Sequence, residues 1–370
     1  MKNLSIILMV ISVFYAPSTN ANHLKDKSDS QALRIHKFRL NMLVNRFQNE
    51  TIPPAKKPKI IKDTSKPNSE IRSIIDRSDL LSVLFYDGNS TTVNELSATK
   101  LEPLEKMYSM SISKSYVGYL LGHAICDEFI KTLDDPIEKY VPETSGTIYE
   151  GVSLQNMINM TAGDVEHWER GSNNMTVYAV PILRGKKTIK DMLNESRGVS
   201  PDEKTNFYYS NILPDLVARA VHLKSPSGIK DYFHKKIANT SENSSEMIYL
   251  KDKNGWGIHF AYLYVTRGDY LKFAKLIAQD WKSNSCIGSY LKKLYENRVP
   301  TGKPQNGSHN FQSYGGFFWM DKSNFDFPHF VMNGHGGQRV IINFNTGAIL
   351  SMHAIRDNFN QTEVEELLFK

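Results

Sequence analysis

The stretch "YSMSISKSYVGYLLGHAI", residues 108–125, places a serine three positions before a lysine at the start of an apolar, helical pattern. The apolar residues that follow the i, i+3, i+4 spacing are Val117, Leu120, Leu121, Ala124, Ile125 and Phe129. This spacing predicts a long, buried helix that begins at Ser111. Ser111 and Lys114 would share a face of its first turn, beside the free N–H groups and the positive potential of the helix N-terminus.

A serine hydroxyl is a weak nucleophile at neutral pH, so it needs an adjacent base and donors for the oxyanion. The chain contains four serines with a lysine three positions later, which are Ser97/Lys100, Ser111/Lys114, Ser227/Lys230 and Ser289/Lys292. Only the second pair stands at the start of a helix expected to be buried, directly after a candidate strand. The sequence favours Ser111 as a nucleophile and Lys114 as its base, with N-capping by Ser111 as the structural alternative.

Candidate strands lie at both ends of the 370-residue chain, and helical patterns fill its middle. The strand segments are "LLSVLFYDGNSTTVNEL" (80–96), "YGGFFWM" (314–320), "HFVMNGHGGQRVIINFN" (329–345) and "GAILSMHAI" (347–355). The first contains an Asp-Gly-Asn turn between two strands. We predict an α+β fold in which an antiparallel sheet is built from both termini, is flanked by helices and carries a large, mainly helical insertion at about 120–310.

The N-terminal residues indicate export. A short basic start, an apolar run from Leu4 to Ala16 and small residues up to Ala21 are typical of a cleavable signal peptide over residues 1–21. An uncleaved membrane anchor is the alternative. Residues 22–70 are polar and basic and predict an arm or linker, so that one folded domain would cover 71–370. The expected location is periplasmic or secreted.

Charge and cysteine content restrict partners and cofactors. The net charge of +6 is modest, and its basic residues near 56–59 indicate a solvated linker or a weak contact with an anionic cell envelope. No nucleic-acid-binding motif is present. The histidines and the two cysteines show no zinc-site spacing, so no metal or organic cofactor is expected. Cys126 and Cys286 could form a disulfide or remain as buried free thiols.

Motifs in five regions resemble, in order, those of serine β-lactamase-related and penicillin-binding-protein-like hydrolases, the group that includes class C β-lactamases and 6-aminohexanoate-dimer hydrolases. They are "SISKSYVGYLLGHAICDEFIKTLDDPIEKYVPE" (111–143), "GVSLQNMINMTAGDVEHW" (151–168), "NFYYSNILPDLVARAV" (206–221), "VTRGDYLKFAKLIAQD" (265–280), and the strands "YGGFFWM" and "GHGGQRVIINF". The match is collinear from about residue 75 to 355. The second motif usually ends Met-Thr-Ser-Gly, and Ala162 replaces that serine here.

The resemblance implies a role for each matched residue. Ser111 would be acylated, and Lys114 would accept its proton. Tyr209 would pass protons to the leaving group and activate water, and Asn211 would orient the lysine or the substrate amide. Tyr208 is the rival of Tyr209, because adjacent residues of an extended segment point in opposite directions. Asn211 at the start of a helix is also an ordinary capping residue.

The resemblance also implies two oxyanion donors, the Ser111 N–H and an amide of the strand at 333–338. Most β-lactamases carry Lys-Thr-Gly in that strand, whereas this chain has Met-Asn-Gly or His-Gly-Gly, depending on register. The first register makes His335 the donor, between Gly334 and Gly336, and the second makes it Gln338. By analogy with the dimer hydrolases, the first is favoured.

Neither register supplies the lysine that would attract the carboxylate of a β-lactam antibiotic. Losing one charge-assisted hydrogen bond typically costs about 1.5–3 kcal/mol, which is about ten- to a hundredfold in affinity. We therefore predict an exported serine hydrolase that cleaves a small or peptide-like ester or amide without that carboxylate. The alternatives are a cell-wall peptidase of the DD-peptidase type, a β-lactamase, and a non-catalytic binding protein on the same fold.

Overall fold

The computed structural model describes residues 36–37, 40–41, 44–45, 47–61, 65–97, 104–169, 175–202, 206–302 and 311–370. The expected signal peptide, residues 1–21, lies outside these ranges, and so does Lys100 of the first serine–lysine pair. Parts of the loops at 165–205 and 295–312 also fall outside them.

The strands formed by the described residues are β1 (Gln48–Ile52), β2 (Leu80–Tyr86), β3 (Thr91–Leu96), β4 (Lys106–Tyr108), β5 (Met247–Lys251), β6 (Gly257–Thr266), β7 (Val299–Pro300), β8 (Phe311–Gly315), β9 (Phe318–Lys322), β10 (His329–Gly334), β11 (Gln338–Asn343) and β12 (Ile349–Ala354). The α-helices are α1 (Ser69–Asp76), α2 (Ile112–Cys126), α3 (Leu154–Ile158), α4 (Val165–Glu169), α5 (Val180–Leu183), α6 (Ile189–Asn194), α7 (Ile212–Lys224), α8 (Gly228–Phe233), α9 (Arg267–Lys282), α10 (Cys286–Glu296) and α11 (Gln361–Leu368).

The larger sheet has eight antiparallel strands in the order β3-β2-β12-β11-β10-β9-β8-β7. The Asp87 carboxylate accepts hydrogen bonds from the backbone N–H groups of Asn89 and Ser90, at 2.7 and 2.9 Å, and so closes the β2–β3 turn. The register Val83↔Met352 joins the N-terminal hairpin to the C-terminal strands. The prediction that both ends of the chain build one antiparallel sheet is confirmed.

Two of the predicted strands are hairpins. "YGGFFWM" contains the turn between β8 and β9, and its Phe317 has the left-handed φ of 65°. Residues 329–345 contain β10 and β11, which pair from His329↔Asn343 to Gly334↔Gln338. The predicted strand at 333–338 is therefore wrong in detail, because β10 ends at Gly334 and a turn follows. Glycines in both turns supply conformations that a continuous strand does not use.

A second sheet, β1-β5-β6-β4, was not expected. The segment 48–52, which we assigned to an arm or linker, pairs with β5, and Ile52 is fully buried. The backbone of Ala55 then donates to the Asn243 carbonyl at 3.1 Å. Ordered structure therefore begins before residue 71, and the insertion at 120–310 contains β5 and β6 as well as helices. The sequence did not predict β1, because its residues are polar and an edge strand buries few side chains.

Helix α2 runs through the interior and is buried on nearly every side. A helix that is apolar all round belongs in a core rather than on a surface. A Cβ on Gly118 would lie 2.2 Å from the Gly316 carbonyl oxygen, so this helix approaches the β8–β9 turn closely only because residue 118 is glycine. The predicted helix is confirmed from Ile112 to Cys126, but Phe129 lies beyond its end.

A disulfide joins Cys126 to Cys286 and ties the end of α2 to the start of α10. Free thiols, one of the two expectations, are thus excluded for this structure. Cys286 is exposed and Cys126 is half-buried, so the pair crosses a surface rather than the core. Within the ranges that the structure describes, no helix combines the length and the apolar character needed to cross a bilayer.

Candidate active site

Ser111 occupies the N-cap position of α2, yet its side chain makes no capping hydrogen bond. Lys114 is fully buried one turn later, and its Nζ lies 3.0 Å from Ser111 Oγ and 2.5 Å from the Phe260 carbonyl oxygen. No hydrogen bond therefore supports the alternative that Ser111 is an N-capping residue. The lysine is held by strand β6 and points at the serine.

The chain reaches Ser111 through a tight connection from β4. The Ser109 N–H donates to the Leu263 carbonyl at 2.8 Å, and the Leu263 N–H donates to Ser109 Oγ at 2.9 Å. Met110 then takes a left-handed φ of 45°, which is uncommon for a residue other than glycine. The pairing of β4 with β6, together with this turn, brings Ser111 close to Phe260.

Burial lowers the pKa of Lys114 to about 7, and the carboxylate of Asp215 opposes part of that decrease. A buried ammonium loses its hydration, so the neutral amine is favoured. Near neutral pH a substantial fraction of Lys114 therefore carries a free lone pair 3.0 Å from the serine hydroxyl.

Asp215 is a site residue that the sequence reasoning missed. It is buried in the first turn of α7 and accepts hydrogen bonds from the backbone N–H groups of His259 and Phe260, at 2.6 and 2.9 Å, and from the Tyr178 hydroxyl at 2.6 Å. Burial raises the pKa of Asp215 to about 7. These hydrogen bonds fix strand β6, whose Phe260 carbonyl accepts a hydrogen bond from Lys114. An acidic residue on the buried side of an otherwise apolar helix was the available signal.

Tyr209 is the tyrosine that reaches the serine. Its ring centroid lies 4.9 Å from Lys114 Nζ, and its hydroxyl interacts with the hydroxyls of Ser111 and Tyr314. Burial raises the pKa of Tyr209 above the usual range for phenols, although the interactions with Ser111 and Tyr314 oppose the change. The phenol is therefore protonated at neutral pH and acts as a donor or relay, while the lysine is the group with an available lone pair.

A buried network holds the backbone next to Tyr209. Asp164 accepts hydrogen bonds from Ser210 Oγ at 2.7 Å and from the Tyr149 hydroxyl at 2.8 Å. Asn211 follows at the start of α7, where it is buried and its side chain makes no capping hydrogen bond. The capping alternative for Asn211 is thus unsupported. The same loop presents Tyr209 to Ser111 and anchors its neighbour in the core.

Aromatic rings form one side of the site. Trp319 stacks on Tyr209 with ring centroids 5.4 Å apart and meets Tyr314 edge-on at 4.9 Å. Phe311 lies 5.4 Å from Trp319. The sequence predicted no role for the aromatic residues of this strand region. These rings are buried and pack against the Tyr209 side of the site.

The β10–β11 hairpin lies against the backbone before Ser111. A Cβ on Gly334 would lie 2.5 Å from the Ser109 carbonyl oxygen, so only glycine fits there. The turn continues through the exposed His335 to Gly336, whose φ is 81°. Gln338 instead begins β11, and its side chain donates to the carbonyls of Gly336 and Ala354. The close packing at Gly334 therefore places this turn next to the backbone that leads into Ser111.

Two of the other serine–lysine pairs lie elsewhere. Ser289 is exposed on α10, and Lys230 forms an ion pair with Glu50 at 3.1 Å. Of the three pairs whose residues the structure describes, Ser111/Lys114 is the one that lies beside Tyr209. Within the described part of the chain, no three His, Cys, Asp or Glu side chains are grouped to hold a metal ion.

Comparison with known proteins identifies the fold. The Beta-lactamase family model matches residues 81–244, which include Ser111, Lys114 and Tyr209. The chain has the β-lactamase/transpeptidase-like fold. The family model and the solved structures confirm the resemblance seen in the sequence motifs. The β-lactamase-like fold is one that hydrolases use.

Three solved structures illustrate the likeness. A Bacillus anthracis protein assigned as a 6-aminohexanoate-dimer hydrolase is 13% identical, with 95% of each chain covered and a TM-score of 0.71. A D-stereospecific amidohydrolase from Streptomyces sp. is 16% identical, with 79% of this chain and 94% of that one covered and a TM-score of 0.59. A Bacillus halodurans penicillin-binding protein is 14% identical, with coverages of 80% and 99% and a TM-score of 0.59. No curated protein sequence matches this β-lactamase-like chain significantly.

Proposed function

We propose that the protein is an exported serine hydrolase that cleaves an ester or an amide through an acyl-enzyme on Ser111. One observation carries the proposal: a fully buried Lys114, whose pKa burial lowers to about 7, lies 3.0 Å from the Ser111 hydroxyl, and the Tyr209 ring lies 4.9 Å from the same amine. This is a nucleophile with its base and a proton donor, which is what acyl transfer by a serine requires.

In acylation, Ser111 Oγ attacks the substrate carbonyl carbon as its proton moves to the neutral Lys114 amine. The carbonyl oxygen becomes an oxyanion, which accepts from the backbone N–H groups of Ser111 and His335. The carbon–heteroatom bond then breaks, and the leaving alcohol or amine takes a proton through the Tyr209 phenol, which is replenished by the Lys114 ammonium. The products of this half-reaction are the acyl-Ser111 ester and the released group, with Lys114 neutral again.

In deacylation, water replaces the leaving group. It gives a proton towards Lys114 through Tyr209 as its oxygen attacks the acyl carbon, and the bond between that carbon and Ser111 Oγ breaks. The proton then returns to Ser111 Oγ, and the carboxylic acid leaves. Asn211, buried beside the Tyr209 loop, orients the amine or the substrate amide in both steps.

Fluorophosphonate labelling of the purified protein tests the nucleophile. We expect one label per chain, abolished in Ser111→Ala and retained in Ser289→Ala. Ser289 is the matched control, because it also precedes a lysine by three positions but is exposed on α10. Labelling that persists in Ser111→Ala would exclude Ser111 from the mechanism.

Substrate preference follows from residues 332–337, which supply no lysine in either register. Met332 stands where most β-lactamases have a lysine in the favoured register, and His335 stands there in the other. We expect hydrolysis of simple esters and amides to be faster than hydrolysis of penicillins and cephalosporins, by about ten- to a hundredfold in kcat/KM. Rapid turnover of carboxylate-bearing β-lactams would favour a β-lactamase. A stable penicillin adduct would favour a cell-wall peptidase.

Export belongs to the same proposal. The apolar N-terminal run supports it, and so does the Cys126–Cys286 disulfide, because such bonds persist in oxidising compartments. N-terminal sequencing of the mature protein from the producing cell tests it. A mature chain that begins at about residue 22 is expected, and a chain that keeps Met1 in the cytoplasm would contradict export.

A further inference from the structure

The side chain of Gln338 supports the turn between β10 and β11 from inside the protein. Gln338 begins β11, and its side chain is almost completely buried. Its amide nitrogen donates to the Gly336 carbonyl at 3.2 Å and also to the Ala354 carbonyl, while its amide oxygen accepts from the Ala354 N–H at 3.3 Å. This one carboxamide therefore joins the turn to the end of β12.

Ala354 also links the turn to the strand that leads into the serine. Its carbonyl accepts a second hydrogen bond, at 3.2 Å, from the hydroxyl of Tyr108, which ends β4 shortly before Ser111. At the start of the turn, Gly334 approaches the Ser109 carbonyl oxygen so closely that a Cβ would lie 2.5 Å from it. The turn and the backbone before the nucleophile are thus held together at two points.

The two strands of this hairpin are anchored independently of the turn. Asn333 and Arg339 face each other across β10 and β11, and the buried Arg339 donates from Nε to Asn333 Oδ1 at 3.0 Å. Its Nη1 also donates to the buried Glu365 carboxylate at 2.6 Å. The strands are therefore fixed as far as the turn, and what remains to be fixed is the direction of the peptide groups between residues 334 and 338.

Gln338 fixes one of those peptide groups directly. The turn contains two successive glycines, Gly336 and Gly337, with left-handed φ values of 81° and 87°. Glycine permits this shape but has little conformational preference of its own. Because the C=O and N–H groups of a planar trans peptide point in opposite directions, a Gly336 carbonyl held by Gln338 turns the Gly337 N–H the other way. One hydrogen bond therefore sets the orientation of this peptide.

We propose that Gln338 is a positioning residue for the oxyanion, because its side chain sets the direction of the backbone N–H groups in the turn. This inference rests on the proposed function, in which an N–H group of this turn and that of Ser111 bind the oxyanion. It applies to either register of the motif, since the same carboxamide holds the turn whether the donor is the His335 amide or the Gln338 amide. Donors that are already aimed at the developing charge need no reorganisation when it forms.

Gln338→Met tests this role, because methionine is similar to glutamine in length but makes none of these hydrogen bonds. The substrates are nitrophenyl acetate and its thiono analogue, in which sulfur, a weak hydrogen-bond acceptor, replaces the carbonyl oxygen. Oxyanion donors therefore favour the oxygen ester. We expect the ratio of kcat/KM for the oxygen ester to that for the thiono ester to fall by about ten- to a hundredfold in the variant. A structural role alone would lower both rates together and leave the ratio unchanged.

Gln361→Met is the matched control, because Gln361 is equally buried but lies at the start of α11, and it should leave the ratio unchanged. If circular dichroism shows that Gln338→Met does not fold, Gln338→Asn keeps the amide group, shortens its reach and should lower the ratio several-fold. An unchanged ratio in a folded variant of Gln338, or an equal fall in Gln361→Met, would overturn the positioning role. A lack of ester turnover by the unaltered protein would overturn the proposed function, and this inference with it.

Discussion

At the scale of single residues, the site rests on the protonation states of Lys114 and Tyr209. Burial favours the uncharged form of both side chains, which means a free lone pair for the amine and a retained proton for the phenol. One physical cause therefore produces a base and an acid within reach of the same serine oxygen. Asp215 adjusts that balance, because its negative charge favours the ammonium form of Lys114.

Acylation should depend on pH through Lys114. The amine accepts a proton only when neutral, so the rate of fluorophosphonate labelling should rise through a midpoint near pH 7 and level off above it. Measuring the labelling rate from about pH 5 to about pH 9 checks this expectation. A rate that still rises steeply near the ordinary lysine pKa of about 10.4 would contradict the buried-amine mechanism.

Asp215→Asn should move that midpoint to lower pH. The Asp215 carboxylate raises the pKa of Lys114, so removing its charge lets the pKa fall further. The labelling-rate profile of Asp215→Asn beside the unaltered protein gives the measurement, with circular dichroism to establish folding. An upward shift would show that the two groups are not coupled in the direction that the structure implies.

Tyr209→Phe should reduce turnover of a nitrophenyl ester by about a hundredfold or more, because the relay between Lys114 and the leaving group or water is lost. Tyr208→Phe is the matched control and should stay within about twofold of the unaltered protein. Steady-state rates and acyl-enzyme accumulation by mass spectrometry give the comparison. A larger loss in Tyr208→Phe would reassign the tyrosine role.

At the scale of elements, three close approaches build the site: α2 against β6, the β8–β9 turn against α2, and the β10–β11 hairpin against the backbone before Ser111. Glycines at positions 118 and 334 permit two of them, because a Cβ at either position would overlap a carbonyl oxygen. Hydrogen bonding reinforces the packing, as Ser115 Oγ donates to the Phe317 carbonyl at 2.7 Å. The elements therefore meet through backbone contacts that leave little tolerance for added atoms.

Gly334→Ala should lower both stability and the labelling rate. The new methyl group would lie 2.5 Å from the Ser109 carbonyl oxygen, so the hairpin must move. Overpacking of this kind typically costs about 1–3 kcal/mol. Gly268→Ala is the control, because its Cβ would make only an ordinary 3.4 Å contact with Ile61. Thermal melts and labelling rates check both variants, and a Gly334→Ala protein with normal values would contradict the tight approach.

At the scale of the whole molecule, the two ends of the chain share one sheet, and a disulfide joins helices from its middle. Strand β12 pairs with β2, while Cys126 and Cys286 are separated by 160 residues. The strand pairing is lost when the chain unfolds, whereas the disulfide restricts the unfolded chain as well as the folded one. The catalytic elements are thereby tied together at positions far apart in sequence.

Replacing Cys126 and Cys286 together by serine should lower the free energy of unfolding by about 2–5 kcal/mol, because the cross-link closes a long loop in the unfolded state. Denaturant titration of the oxidised protein and the double variant gives the measurement. Reductant should shift the midpoint of the unaltered protein and leave the double variant unchanged. Equal midpoints for the two oxidised proteins would contradict a stabilising role.

Patterns with a local cause were predictable from the sequence. The α2 helix and the β2–β3 hairpin follow from apolar spacing and turn residues, and their predictions are confirmed, whereas two of the predicted C-terminal strands are hairpins. Strand β1 and the second sheet were missed, because "QNETI" is a polar edge strand whose partner lies almost 200 residues away. The roles of the site residues stay predictions, since fold similarity tests the architecture and not the chemistry.

The sequence by itself determined the order of the motifs, the buried character of the helix that carries Ser111 and the absence of a lysine at 332–337. Only the tertiary structure decided which serine–lysine pair meets a tyrosine, that Asp215 holds the strand behind Lys114, and that the two cysteines are joined. The physical reason is the distance along the chain over which each kind of interaction acts. Helical spacing and turn chemistry act over a few residues, whereas burial, and with it the pKa of Lys114, depends on elements that packing brings together from distant parts of the chain.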